Sequence, residues 1–354
     1  MTRVLVIKPS SLGDVIHALP AVRLLRQRLG ASLERLTWVV NDSFRPLLEL
    51  APDVDRIVSF PRREIWHRGV VRRFVSVLQE EPYDVAIDFQ GLLRSGLMAH
   101  FSHAPRRVGF ANGRELSPWF YTERVPVPRR MHAVERNLEL VAAAFPASGP
   151  SGSGRAWDYP AGALLDMPSA RREAARALLD EPAPGTPVLA VGHSSRWHSK
   201  NWSVGFFGAV LDEIAARRPE TRIWLLGAPD ERERGERVRA ACRVARPLNL
   251  SGASDMPGLA ALLSESGALL TNDSGPMHLA AALAVPVVAL FGATDPELTG
   301  PYGEPGLHRV FRSVCPKSPC FRHDCPFGEE RCPQGTSAAE VADAVLARLA
   351  RRGG

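Results

Sequence analysis

The sequence predicts an α/β protein made of two successive domains, each a mostly parallel sheet with helices on both faces. Three observations carry this. Short, continuously apolar runs recur along the chain, among them RVLVIK near the start and VPVVALFG at 285–292. Runs of this length without polar alternation fit strands buried on both sides. Stretches with apolar residues at helical spacing separate them, and repeated β-α units imply a parallel sheet. Finally, a Pro-, Gly- and Ser-rich break, PASGPSGSGRAWDYPAG at 146–162, reads as a linker or long surface loop, and a second β-α series begins after it.

The first series opens with the RVLVIK strand and the polar turn PSSLGD. An amphipathic helix follows, with Ile16, Leu19, Val22, Leu25 and Leu29 near helical spacing. Strands are expected at 36–40, near Ile57-Val58 and at 83–89, with a helix from Phe44 to Leu50. In the second series, strands are expected at 187–192, 222–227, 268–273 and 285–292. Helices are expected at 206–216, 232–242, 256–265 and 276–284, and a last one from about Ser337 to Arg351. The domains are drawn as 1–160 and 161–336 facing each other across a cleft, with 337–354 a helix that returns to the first domain.

At 354 residues the chain can fill two cores. No apolar run reaches the roughly 18–20 residues of a membrane span. Val4-Leu5-Val6-Ile7 is cut by Lys8, so no secretory leader is read at this end. A soluble, cytoplasmic protein is expected. The formal net charge of +6 is almost wholly arginine, since Lys8, Lys200 and Lys317 are the only lysines. Arginine suits partners rich in phosphate or carboxylate. The basic residues are scattered and no nucleic-acid motif is found, so nucleic acid is not expected as a partner.

The segment TNDSGPMHLAAALAVPVVALFGATDP, 271–296, points to a ligand class. Asn272-Asp273-Ser274-Gly275-Pro276 carries helix-start signals after a buried strand. The unpaired N–H groups of a helix start favour an anion, most often a phosphate. Its place at the carboxyl end of a strand is where open α/β sheets bind ligands.

Six segments, in order and at compatible spacing, resemble the ADP-heptose:lipopolysaccharide heptosyltransferases of glycosyltransferase family 9. They are KPSSLGDVIHALPAV (8–22), DFQGLLRSG (88–96), HAVERNLEL (132–140), KNW (200–202), TNDSGPMHLAAAL (271–283) and GATDPELTGPYG (292–303). The resemblance implies a GT-B fold of two Rossmann-like domains and inverting transfer of a heptose from ADP-heptose. The implied acceptor is the lipopolysaccharide inner core (Kdo-lipid A or heptosyl-Kdo-lipid A), met at the inner face of the inner membrane by peripheral association. No metal cofactor is implied for the chemistry. The first and third segments look like the enzyme adding the first heptose; TNDSG and the cysteine-rich tail look like the enzyme adding the second.

Inverting sugar transfer needs a carboxylate to take a proton from the attacking hydroxyl. Asp14 is the candidate, and the resemblance makes it the base; it also suits a helix N-cap or first turn. Ser10, Ser11 and Gly13 form the turn before it and are acceptor-side candidates. His17 lies one turn on, able to orient the carboxylate or simply to sit satisfied in the core. Lys200, after GHSSRWHS, is the candidate cation for the leaving diphosphate, with Ser194 and Ser195 beside it. The resemblance places Asp273, Ser274, Gly275 and His278 in the diphosphate and ribose site. Ser274 and Gly275 would donate N–H groups, and Asp273 would accept hydrogen bonds. Glu231 is a ribose candidate or a first-turn surface acid, and Met256 lies near the adenine. Arg62, Arg63, Arg94, Arg107, Arg114 and Arg130 are candidates for the anionic acceptor, Arg94 foremost. Trp66 and Trp119 are candidates for membrane contact.

Cys315, Cys320, Cys325 and Cys332 are spaced C-x4-C-x4-C-x6-C, with His323 among them and Cys242 apart. Structural zinc favours C-x2–4-C pairs, so this spacing sits at the loose limit. A structural zinc and reduced thiols capping a loop both remain open. Two other functions also stay open: a related enzyme using another nucleotide sugar (a transferase or an epimerase), and a non-catalytic nucleotide- or metal-binding sensor.

Overall fold

The computed structural model of the protein describes residues 1–64, 67–147, 157–159, 162–178, 186–327 and 335–351. Two compact units divide it, Met1–Leu165 and Asp166–Gly354. The first contains, in order, β1 (Thr2–Ile7), α1 (Leu12–Leu29), β2 (Leu33–Asn41), α2 (Arg45–Leu48), β3 (Arg56–Phe60), α3 (Arg68–Leu78), β4 (Val85–Asp88), α4 (Leu93–Phe101), β5 (Arg106–Phe110), β6 (Glu123–Val125) and α5 (Ala133–Ala144). The second contains α6 (Ser169–Arg176), β7 (Val188–Gly192), α7 (Val204–Arg217), β8 (Arg222–Leu226), α8 (Arg232–Ala241), β9 (Leu248–Asn249), α9 (Met256–Glu265), β10 (Ala268–Asn272), α10 (Gly275–Ala282), β11 (Val287–Phe291), α11 (Pro296–Thr299), β12 (Arg309–Arg312) and α12 (Ala338–Arg351).

Each unit has one six-stranded sheet, ordered β3-β2-β1-β4-β5-β6 in the first and β12-β11-β10-β7-β8-β9 in the second. All strand pairs in both are parallel. Both orders reverse direction once, between β1 and β4 and between β7 and β10. This is the doubly wound pattern, and its reversal point is where such sheets open a crevice for ligands.

Burial explains the apolar runs. Every residue of β7, β10 and β11 is buried, so both sheet faces are covered. In the first unit Leu5, Ile7, Val39 and Ala86 pack under Phe74 and Leu78 of α3 and Met98 and Ala99 of α4. The opposite face is covered in part by α1, whose Val15, Leu19, Val22 and Leu25 are buried.

The last helix packs into the core of the second unit: Val341, Ala342, Val345 and Leu349 join Leu211, Ile214, Leu270 and Leu290 in one core cluster. The stripe at 341, 345 and 349 repeats every four residues and meets the sheet beside α7. Gly267 gives the Leu349 side chain its close approach, and Arg217 of α7 pairs with Asp343 at 2.6 Å. An apolar stripe specifies that a helix must be covered, not which sheet covers it. The 146–162 break falls largely outside the described residues, as do Trp66 and Cys332.

Candidate active site

Asp14 stands at the carboxyl end of β1, in the first turn of α1, next to the strand-order reversal of its sheet. Two hydrogen bonds fall on its carboxylate Oδ2: the Ser11 backbone N–H donates at 2.9 Å and the Ser11 hydroxyl at 2.8 Å. Asp14 therefore does serve the helix start, and the same bonds fix its orientation. It lines a cavity of about 430 Å3 together with Lys8, His17, Gln90, Asn112, Arg114, Arg129 and Arg136. One carboxylate thus sits among four cationic side chains in a concave site.

The cavity wall is built by buried polar bonds. Lys8 is buried, and its ammonium donates to the Phe89 carbonyl at 2.9 Å. Burial pushes the Lys8 pKa down, and Asp14 and Asp88 oppose that shift by stabilising its charge. Asp88, wholly buried at the end of β4, accepts the Tyr121 hydroxyl at 2.6 Å and the N–H groups of Gln90 and Gly91 at 2.7 and 3.1 Å. Burial raises its pKa, and these donors pull it back. Gly109 makes room for the Tyr121 ring, since a Cβ there would lie 2.4 Å from a ring carbon. Arg136 donates to the carbonyl of Pro128 at 2.8 Å, and Asn112 to that of Val127 at 2.6 Å, tying the two loops above β5 and β6 together.

Among the arginines expected to meet an anion, Arg114 alone lines this cavity. Arg62, Arg63 and Arg130 are exposed elsewhere. Arg107 is spent on the carbonyls of Phe120 and Ala104, each at 2.8 Å. Arg94 is half-buried on α4 and does not line it either. Ser10 is buried, while Ser11 acts on Asp14 directly. Gly13 is the second residue of α1. His17 is buried on α1, its ring 5.6 Å from that of His132. Lys8, Arg129 and Arg136 were not singled out from sequence. Arg136 lay inside HAVERNLEL and Lys8 opened the first segment, so position in a matched segment was the available signal.

In the second unit Lys200, Ser195, Asp273 and Ser274, among the expected donor residues, gather at the other reversal point. Lys200 Nζ lies 2.7 Å from Asp273 Oδ2 and 4.8 Å from the centre of the Trp197 ring. The Thr294 hydroxyl donates to the same Asp273 oxygen. Ser195 donates to the Asp273 carbonyl at 3.0 Å, joining the turn after β7 to the turn after β10. Asn272 completes the join: its amide donates to the His193 carbonyl at 3.1 Å and accepts the Trp202 N–H at 3.2 Å. Gly192 permits the contact with Thr271, whose hydroxyl lies 2.4 Å from where a Cβ would be. Ser274 and Gly275 open α10, the Ser274 hydroxyl lying 3.1 Å from that of Thr271; His278 is buried one turn on. Ser194 is half-buried beside Ser195. Met256 is half-buried at the start of α9. Glu231 accepts the Ala228 N–H at 2.7 Å through Oε2, bridging the turn before α8. The bridging roles of Asn272 and Thr294 were not legible from sequence, because an amide or hydroxyl in a turn gives no signal of the strand it will reach.

Cys315, Cys320 and Cys325 carry free thiols and line one small cavity. Among the described residues no group of three or more His, Cys, Asp and Glu is placed to hold a metal; Cys332, the fourth cysteine of the spacing, lies outside them. The loop has a different visible use. The Ser199 N–H donates to the His323 carbonyl at 3.1 Å, and the Ser199 hydroxyl to that of Arg322, so the loop braces the turn that carries Lys200. Cys242 lies apart; burial lifts its thiol to about 11, an unreactive state. No helix among the described residues is long and apolar enough to cross a membrane.

The family model for glycosyltransferase family 9 (heptosyltransferase) matches residues 71–330, more than half of the chain. The chain is 34% identical to lipopolysaccharide heptosyltransferase 1 of Pseudomonas aeruginosa, over 92% of this chain and 88% of that protein. Among solved structures it resembles Escherichia coli heptosyltransferase WaaC with ADP, at 26% identity and a TM-score of 0.76, covering 98% of this chain and 99% of that one. Escherichia coli ADP-heptose lipopolysaccharide heptosyltransferase II superposes with a TM-score of 0.77 at 23% identity, covering 99% and 100%, which bears on the fold alone. Two doubly wound units, a carboxylate at one reversal point, a lysine and helix terminus at the other, and this extent of likeness place the chain in glycosyltransferase family 9: it is a transferase of the GT-B heptosyltransferases.

Proposed function

We propose that the protein transfers L-glycero-D-manno-heptose from ADP-heptose to the lipopolysaccharide inner core with inversion at the anomeric carbon. The observation that carries this reading is the setting of Asp14: a carboxylate fixed through Oδ2 in a cavity lined by Lys8, Arg114, Arg129 and Arg136. An acceptor bearing carboxylate or phosphate groups suits those cations. Kdo-lipid A is the acceptor favoured over heptosyl-Kdo-lipid A, because the Pseudomonas aeruginosa relative is a heptosyltransferase 1.

In the mechanism Asp14 Oδ1 takes the proton from the attacking hydroxyl. The oxygen bonds to the anomeric carbon from the face opposite the leaving group, and the bond to the diphosphate oxygen breaks. The departing ADP gains negative charge, which Lys200 and the N–H groups of Ser274 and Gly275 stabilise. Ser194, Ser195, Glu231, Met256, Asp273 and His278 complete the donor side, Asp273 through Lys200. Ser10, Ser11 and Gly13 shape the acceptor side, and Arg62, Arg63 and Arg94 reach outlying phosphates of the lipid. These side chains provide base and electrophile without a metal ion. The lipid-linked acceptor places the work at the cytoplasmic face of the inner membrane, reached peripherally.

A donor and acceptor screen tests the reading. Transfer is expected from ADP-heptose to Kdo-lipid A, with ADP-glucose and UDP-sugars far slower. Faster transfer from a UDP-sugar, or no transfer at all with intact ADP binding, overturns it.

A further inference from the structure

The turn between β5 and β6 exposes large apolar side chains that no other described residue of the first unit covers. Leu116 is 59% exposed and Trp119 74%, and Leu93 at the start of α4 is 39% exposed. They are neighbours. The Leu93 N–H donates to the Glu115 carboxylate at 3.4 Å, and the Trp119 N–H to the Leu116 carbonyl at 3.1 Å. Gly96 of α4 lies against Ser117 and Phe120, bringing helix and turn together.

The turn is held in this shape at a conformational cost. Glu115 and Leu116 both have left-handed backbones, φ 56° and 65°. That region is uncommon for residues with a Cβ and is strained for them. The Arg114 N–H donates to the Gly91 carbonyl at 2.8 Å and the Ser117 N–H to the Arg114 carbonyl at 3.0 Å, so the bend is fastened on both sides. A turn that only had to join two strands would gain nothing by placing leucine and tryptophan in water.

The surroundings are cationic. Arg114 is exposed in the same turn, Arg94 follows Leu93, and exposed Arg129 and Arg130 stand on the loop tied to this one through Asn112. Glu115, the acid of this turn, accepts the Leu93 N–H. Gly91, Gly113 and Arg114 also line the Asp14 cavity, so the apolar ledge and the cavity share a rim.

We infer that Leu93, Leu116 and Trp119 form a ledge that inserts into the interfacial layer of an anionic lipid bilayer, with the arginines on its headgroups. Indole and leucine side chains beside arginine are suited to that layer, where one end is apolar and the other wet. A protein partner would be met by a mixed rim, whereas this rim is almost uniformly positive. The inference rests on the lipid-linked acceptor proposed above: docking here sets the headgroup plane at the mouth of the cavity.

The test is co-sedimentation with vesicles of phosphatidylethanolamine and phosphatidylglycerol, against vesicles of phosphatidylcholine, for the wild type and a Leu116→Ser/Trp119→Ser double variant. The wild type is expected on the anionic vesicles only, and the variant partitions about tenfold less. Transfer to a water-soluble, lipid-free acceptor stays at the wild-type rate, because neither side chain enters the cavity. Equal partitioning of variant and wild type, or equal binding of the wild type to neutral vesicles, overturns the ledge. So does a wild-type dimer that the variant dissociates, which would make the ledge a contact between two copies. Loss of transfer to the soluble acceptor by the wild type would count against the proposed reaction and leave the vesicle result to stand by itself.

Discussion

Lys200 and Asp273 form a 2.7 Å ion pair in the second unit, with Asp273 almost fully buried and also bonded by Thr294. The cation expected to meet a diphosphate is thus already matched by an anion. The pair sets two effects against each other: Asp273 orients the ammonium and also offsets its charge. In Asp273→Asn the offset goes and the orientation loosens. ADP is expected to bind a few-fold tighter while kcat falls about tenfold or more, since a wandering cation stabilises the leaving group poorly. Calorimetric titration with ADP and steady-state kinetics read the two halves. Weaker ADP binding in this variant would contradict the assigned roles.

Lys200→Ala has a second consequence. It removes the charge partner of a buried carboxylate and leaves Thr294 to satisfy it. A stability loss of roughly 1–3 kcal/mol is expected from that uncompensated group. Adding Asp273→Asn should return most of it, because the neutral amide no longer needs a cation. Urea melts of the two single variants and the double variant measure the coupling, and strictly additive losses would exclude it.

Asp14→Asn separates chemistry from structure. The amide oxygen still accepts from the Ser11 N–H and hydroxyl, so the start of α1 survives and stability changes by less than about 1 kcal/mol. The amide cannot take a proton, and kcat is expected to fall by about 10²–10⁴ with donor binding unchanged. A variant with near wild-type turnover would return Asp14 to a capping role alone.

The β-α rhythm was readable because strands buried on both faces must be continuously apolar. VPVVALFG and PVLAVG could hardly be anything else, and β11 and β7 lie within them. β9 and β12 escaped because an edge strand of two or four partly exposed residues carries no such run. Lys200 and Asp14 were legible because a lone lysine, or a carboxylate in a glycine turn, follows a strand at the place where α/β sheets bind ligands. Arg136 was not, since one arginine on an amphipathic helix resembles every other until the fold shows which face looks into a cavity. The α12 stripe likewise names a need for cover and not the surface that provides it.

Tyr121→Phe probes the wall behind the cavity. The hydroxyl is one of the donors that make a buried Asp88 carboxylate tolerable, and its own pKa is driven up by burial and by that carboxylate. Its loss is expected to cost about 1.5–3 kcal/mol, the range for a hydrogen bond to a charged group. Asp88 also holds the Gln90–Gly91 turn that lines the cavity, so the acceptor KM should rise while the donor KM stays. Gly109→Ala acts on the same contact by pushing the Tyr121 ring away, and should reproduce both changes. A donor KM that moves with the acceptor KM would break the link to this wall.

Acid sensitivity should trace to two histidines of the second unit, His193 buried and His308 half-buried. Burial, reinforced by Arg234, holds His193 down at about 4; burial, reinforced by Arg348, does the same for His308. The His308 Nδ1 accepts the Val287 N–H at 3.2 Å, which requires that nitrogen unprotonated. In the unfolded chain each histidine titrates near 6.5, a value it holds without the fold. Between about pH 6.5 and 4 the unfolded state therefore binds protons that the native state refuses. Stability present above pH 6.5 is lost as the pH falls through this window, at up to roughly 1.4 kcal/mol per unit for each histidine. His308→Gln keeps an acceptor for Val287 and cannot titrate, so its urea midpoint should fall less steeply between pH 6.5 and 4 than the wild type's. An unchanged slope in that variant would mean that His308 is protonated in the native state without penalty, and that its burial does not govern the acid response.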